Sequence, residues 1–189
     1  MRVSIKTVSS REVYRNPWCS VREDVIERSD GARGIYGVMD KEPACIILAL
    51  ESTEAGEFVW LVRQFRYSVG GEYFEFPQGS WEIAEVDPVE LARGELAEET
   101  GLRAERMTQL ASPWVAYGAM RQVQHVFLAE GLSQGETERD PEEHDMTVHR
   151  VSLAEFEAMV LDGRVRDNCT LAAWGVYLVW RKQEAEKRD

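Results

Sequence analysis

Asp87 and Gly101 bracket a stretch of chain with a helix start and a helix stop, after a first half that reads almost wholly as strand. Asp87 suits a cap, and Pro88 suits the first helical position, where a missing N–H leaves nothing unpaired. Glu90 makes a box-like pair with the cap, and Gly101 supplies a left-handed stop. Ahead of this helix, β-rich runs at 19–27, 35–39, 44–51, 58–67 and 72–76 are separated by Ser29-Asp30-Gly31, Glu54-Ala55-Gly56 and Gly70-Gly71. After it, β-like runs at 107–111, 122–129 and 147–151 lead to a helix opening at Ser152 and ending near Asp162-Gly163. A third helix spans 169–187. Strands interleaved with a few helices predict a layered α/β chain. With 189 residues and no internal repeat or linker, residues 1–189 read as a single domain.

Charge narrows the partners. Lys and Arg number 22 against 34 Asp and Glu, a net charge of −12, so the molecule as a whole repels nucleic acid and anionic membrane. A polyanionic ligand would need cations gathered locally. The start, Met1-Arg2-Val3-Ser4-Ile5-Lys6, lacks a signal-peptide core, and the longest apolar stretches, 44–50 and 171–180, are too short to span a bilayer, so a cytoplasmic protein is expected. Cys19, Cys45 and Cys169 are odd in number and far apart, and His125, His144 and His149 show no zinc-ligand spacing with them, which favours free thiols.

The densest chemistry lies on the first helix. Glu95, Glu98 and Glu99 stand at i, i+3 and i+4, so all three project to one side. Such crowding destabilises an isolated helix, and no Lys or Arg follows at a compensating position. A solvated acidic face is one reading. Hard oxygen ligands for Mg²⁺ or Mn²⁺ are the other, with Glu85 in the preceding loop as a fourth carboxylate and Glu82 as its competitor.

Gly79, Glu85 and then Glu95-Leu96-Ala97-Glu98-Glu99-Thr100-Gly101-Leu102 resemble the signature of the Nudix hydrolases, G-x5-E-x7-R-E-U-x-E-E-x-G-U with U aliphatic. Two departures stand out. The interval from Glu85 to Glu95 is one residue longer than the pattern, and Gly94 stands where the signature has Arg, with Arg93 one place earlier. One helical step turns a side chain by about 100°, so Arg93 is no simple substitute. The resemblance implies an α/β/α sandwich around a mixed sheet, preceded by an amino-terminal β-hairpin. Residues 1–40 would form a dimerising strand region and residues 41–189 the catalytic sandwich.

The resemblance reaches roughly residues 11–180. Leu61-Val62-Arg63-Gln64-Phe65-Arg66-Tyr67 followed by Glu75-Phe76-Pro77-Gln78-Gly79 is similar to the strand pair of the ADP-ribose pyrophosphatase branch, V-x-Q-x-R then E-x-P-A-G. Gln78 replaces the usual Ala; in that branch the carbonyl here ligates metal, a role independent of side chain. The same Gln is similar to the F-P-Q-G wording of the RNA and dinucleoside-polyphosphate branch. Arg66 is the cation expected on a diphosphate, since a guanidinium grips phosphate oxygens in two-pronged fashion; a surface ion pair is its alternative. Arg63, earlier on the strand and read as facing the same side, is the reserve. Trp18 and Tyr36 occupy positions that, in this branch, cross to a second subunit and offer aromatic rings to adenine, or else pack the hairpin. Glu143, with Glu142 next, matches a glutamate that helps activate water, on the acid-rich connection 131–145.

These resemblances imply Mg²⁺-dependent or Mn²⁺-dependent hydrolysis of a nucleoside diphosphate linked to another moiety, ADP-ribose or an ADP-sugar above all, by a homodimer. The alternatives are dinucleoside polyphosphates, RNA 5′ ends, or a sensor that binds a nucleotide sugar without cleaving it. Long nucleic acid is disfavoured by the absence of a basic groove in the sequence.

Overall fold

The computed structural model describes residues 4–80, 86–135 and 145–187. Its strands are β1 (Ile5–Arg15), β2 (Ser20–Arg28), β3 (Arg33–Asp40), β4 (Ala44–Thr53), β5 (Gly56–Arg66), β6 (Gly71–Glu75) and β7 (Gln78–Gly79), then β8 (Leu102–Ala111), β9 (Met120–Arg121), β10 (Gln124–Gln134) and β11 (Thr147–Ser152). The helices are α1 (Pro88–Thr100), α2 (Leu153–Leu161) and α3 (Asn168–Glu186). Side-chain oxygens cap all three: Asp87 accepts from Val89 N–H, Ser152 from Glu155 N–H and Asp167 from Thr170 N–H. Gly101 closes α1 in the left-handed region at φ 74°, as its sequence position predicts.

The central sheet runs β11-β5-β4-β10-β8, with β6 paired to β5 and β7 to β4. The β4–β10 pairing is parallel and the other pairings in this sheet are antiparallel, which makes it mixed. Successive residues of a strand point to opposite faces, and both faces of β4 are apolar. Cys45, Ile47 and Ala49 pack with Phe127 and Ala129 against Leu91, Ala92 and Leu96 of α1. Ile46, Leu48 and Leu50 pack with Val126 and Leu128 on the other face, under Phe156 and Met159 of α2 and Ala173, Trp174 and Tyr177 of α3. Rings continue through this second layer, Phe76 to Phe156 at 5.1 Å, Phe156 to Trp174 at 5.0 Å and Trp174 to Tyr177 at 5.3 Å. Each fully buried large side chain is worth roughly 1.5–3 kcal/mol, and this double-faced burial sets the predicted α/β/α sandwich.

The amino-terminal part exceeds the expected hairpin. It is a second sheet, β1-β2-β3-β9, in which β9 joins in parallel from the far side of the chain. Sequence patterning missed β1, which is exposed along its whole length and therefore has no alternation to detect. The connection read as a loop from residue 131 also starts later, because β10 continues to Gln134 and stays paired with β8 as far as Leu102.

Candidate active site

The short strand β7 lies where the two halves of the candidate signature meet. Pairing to β4 sets Gly79 opposite Cys45 and Gln78 opposite Ile46, and α1 packs over this place with its acidic side inward. Glu99 is 1% exposed, and its Oε2 accepts a hydrogen bond from the Gln78 backbone N–H at 3.1 Å. Glu95 is also buried, and a methyl group built on Gly79 would overlap its carboxylate, so any larger residue there would have to displace that carboxylate. Burial pushes the pKa of the Cys45 thiol far up, and the charges of Glu95 and Glu99 add to the shift. Glu98 is half-buried on the same helix.

Buried carboxylates are costly unless paired, hydrogen-bonded or bound to a cation. Glu95 and Glu99 flanking the Gln78-Gly79 backbone form a set of hard oxygens suited to Mg²⁺ or Mn²⁺. Among the described residues, no three His, Cys, Asp or Glu side chains converge tightly enough to form a metal group alone. Glu85, Glu82, Glu142 and Glu143 lie outside the described residues. Arg93 does not turn towards the acids: α1 is unbroken, and the Arg93 guanidinium donates to the Ala104 carbonyl at 2.8 Å on the β8 side.

Beside these acids opens a cleft of about 920 Å³, lined among others by Trp18, Lys41, Arg66, Gln78, Arg166 and Asp167. Its three cations supply the local positive charge that an acidic protein needs for a diphosphate. Arg66, at the end of β5, pairs with Glu75 Oε1 at 2.6 Å while about 41% of its side chain stays exposed. One contact leaves most of its five N–H donors available. Burial raises the pKa of Glu75, and the Arg66 charge opposes that rise. Burial also pushes the thiol of Cys169, on the same wall, up to about 11.

Trp18 lines the cleft of its own chain, held by a turn in which Asn16 Oδ1 accepts from the N–H groups of Trp18 and Cys19 at 3.0 and 2.8 Å. Tyr36 does not line it; its hydroxyl donates to the Gly118 carbonyl. The expectation that Arg63 shares a face with Arg66 fails. They stand three positions apart, an odd interval on a strand, and Arg63 pairs with Glu72 and lies 5.7 Å from the Phe74 ring centre.

Sequence reasoning gave Glu75 no role beyond its place in the E-x-P-A-G-like run and passed over Gln124, Arg166 and Asp167, and the structure brings all four to the cleft. Asp167 had a detectable signal: it caps α3, which begins one residue earlier than the pattern suggested. Arg166 had none, because its approach to the cleft depends on how α2 hands the chain to α3.

Comparison with known proteins agrees with this geometry. Residues 5–39 match the family model described as the nucleoside diphosphate sugar hydrolase N-terminal domain, and residues 40–172 match that of the NUDIX domain. The chain is 28% identical over 169 residues to the ADP-ribose pyrophosphatase of Bacillus subtilis, covering 89% of each. It is 29% identical over 168 residues to that of Mycobacterium tuberculosis, covering 88% of this chain and 80% of the relative. A methanol dehydrogenase activator from Bacillus methanolicus is 28% identical over 170 residues, again covering 89% of each. A solved structure described as an ADP compounds hydrolase superposes with a TM-score of 0.82 at 20% identity, covering 96% of both chains, and so shares the fold. With the NUDIX model spanning most of its length and the acids of α1 folded against Gly79, the chain belongs to the Nudix hydrolase family.

Proposed function

We propose that the protein is a divalent-metal-dependent pyrophosphohydrolase that cleaves ADP-ribose or a related ADP-sugar to AMP and a sugar phosphate. The observation that carries this reading is the packing of buried Glu95 and Glu99 against Gly79 and Gln78, which themselves line a cleft that also holds Arg66, Lys41 and Arg166. The names of the two pyrophosphatase relatives support the choice of substrate.

Glu95, Glu98 and Glu99, with the Gln78 carbonyl and Glu85, are the residues assigned to hold Mg²⁺ or Mn²⁺. When bound, such an ion neutralises diphosphate oxygens and lowers the pKa of a coordinated water. The rest falls to the chain itself. Arg66 grips the diphosphate with the guanidinium edge not engaged by Glu75, fixing it for in-line attack. Trp18 presents a ring face to the base. Glu143 is assigned to accept the proton of the attacking water.

The reading includes a homodimer. β1 is exposed throughout, and Ile5, Val8, Val13, Tyr14 and Ile35 add apolar area to the amino-terminal sheet that one chain leaves uncovered. Tyr36, outside the cleft of its own chain, would then serve the partner's site. Among the described residues no helix is long and apolar enough to cross a membrane, and a cytoplasmic location is part of the proposal.

The test is a hydrolysis panel with Mg²⁺ covering ADP-ribose, other nucleotide sugars, dinucleoside polyphosphates and NADH, with products identified by mass. AMP and ribose phosphate from ADP-ribose, at the highest kcat/KM of the panel, is the expected result. A preference for dinucleoside polyphosphates would move the protein to another substrate class.

A further inference from the structure

At Gln78, where the similar pyrophosphatase pattern has a small apolar residue, the side chain is the hub of a polar network. Its Nε2 donates one hydrogen to Glu75 Oε2 and the other to Asp167 Oδ2, both at 2.9 Å. Its Oε1 faces Gln124 Nε2 at 3.5 Å, and Gln124 is itself fixed by the Cys45 carbonyl at 2.9 Å. The amide can sit only this way round, because the flipped form would aim its oxygen at two carboxylates.

Each end of the network is anchored differently. Asp167 is rigid: its Oδ2 also accepts from Thr170 N–H at 2.8 Å and Thr170 Oγ at 2.7 Å, and Thr170 Oγ accepts from Phe76 N–H at 3.0 Å. Glu75 is 2% exposed, and its other oxygen, Oε1, is the one that pairs with Arg66. The order of contacts is therefore the α3 cap, Gln78, Glu75, Arg66. Remove the two amide hydrogens and two carboxylates face each other with nothing between them, a like-charge contact that a poorly solvated site penalises strongly. Glu75 lacks the cap hydrogen bonds that fix Asp167 and is therefore the partner expected to shift, taking Arg66 with it.

We infer that the Gln78 side chain is a positioning residue: it bridges Glu75 and Asp167 and so holds the Arg66 guanidinium in the orientation that receives the substrate's diphosphate. The inference rests on the reading of Arg66 given above. It is separate from the backbone role of Gln78 beside Glu99, which any side chain would permit.

A double-mutant cycle tests it, using Gln78→Met, Arg66→Ala and the two combined. Met keeps the length and volume and deletes both donors. The readouts are KM and kcat for ADP-ribose, the Mg²⁺ concentration at half-maximal rate, and calorimetric affinity for an ADP-ribose analogue with a methylene in place of the bridging oxygen. Gln78→Met is expected to raise KM and weaken analogue binding by about tenfold, the scale of one charge-assisted hydrogen bond. kcat should stay within about threefold and the Mg²⁺ half-point should not move. In the Arg66→Ala background the same substitution should then change nothing further. Equal losses in both backgrounds, or a Mg²⁺ half-point that shifts along with KM, would overturn the inference. If Gln78→Met fails to fold, Gln78→Asn, one methylene short of the bridge, is read by the same criteria. Arg66→Ala alone judges the reading of Arg66: no loss from it refutes that reading, whereas a loss that Gln78 variants do not depend on refutes only the role of Gln78.

Discussion

From Ala44 to Leu50 every residue of β4 is buried, whereas along β1, a strand of similar length, every residue is exposed. Both are regular, hydrogen-bonded strands. β4 lies between α1 on one side and α2 with α3 on the other, so its sequence is almost continuously apolar. β1 is paired only through β2, and its side chains interact chiefly with charges, as in the bond from Arg11 to Glu23 at 2.8 Å. Within one chain, then, the sandwich is stabilised by burial and β1 by backbone pairing and surface charge, with apolar area left exposed.

The same contrast orders the expected effects of substitution. The largest belongs to the buried acids. Glu99→Gln keeps an acceptor for the Gln78 N–H and loses the charge, so turnover should fall on the order of a hundredfold or more while the melting temperature holds. Steady-state kinetics beside a thermal melt checks both halves. Next is the core: Leu48→Ala should cost about 2–5 kcal/mol in denaturant unfolding, while Val13→Ala on β1 should stay within about 0.5 kcal/mol in a monomeric preparation. Similar losses at both sites would break the comparison. A Val13→Ala loss that grows with protein concentration would sharpen it by locating the dimer contact on β1.

Arg66→Ala follows, with a loss of ~1.5–3 kcal/mol in kcat/KM. Arg66→Lys should recover only part, because an ammonium keeps the charge without the two-pronged geometry. Kinetic constants equal to wild type for both would remove Arg66 from the site. A small effect is expected at Arg11→Ala too, where an exposed pair is worth no more than ~1 kcal/mol and high salt should erase the difference. Sedimentation adds a check on the amino-terminal sheet: a protein that stays monomeric at high concentration and is fully active would contradict the proposed dimer.

How much of this was legible in the sequence follows the same division. Asp87, Pro88 and Gly101 gave the bounds of α1 because caps and stops are local chemistry, and helical spacing put Glu95, Glu98 and Glu99 on one side of it; that Glu95 and Glu99 are buried came only from the packing. β4 showed itself by its apolar run. β1 did not, since each of its residues is exposed and no alternation marks it. The misplacement of Arg63 was an error of strand parity that the spacing itself corrects. The convergence of Glu75 with Arg166 and Asp167 was hidden for another reason: Glu75 lies far from that pair in the chain and meets it only once α3 docks beside β6 and β7. Periodicity reports which way a residue faces; the partner it faces is decided by tertiary packing.

Metal-dependent cleavage of an ADP-linked diphosphate, carried by the acids that α1 gathers against Gly79, is the proposed activity. It is tested most directly by titrating Mg²⁺ into ADP-ribose hydrolysis by the wild type and by Glu99→Gln. The account predicts wild-type release of AMP that begins only with added metal and stops with chelator, and a folded variant that stays near background at every Mg²⁺ concentration. Undiminished AMP release in excess chelator, or a Glu99→Gln curve that overlays the wild type, would contradict it.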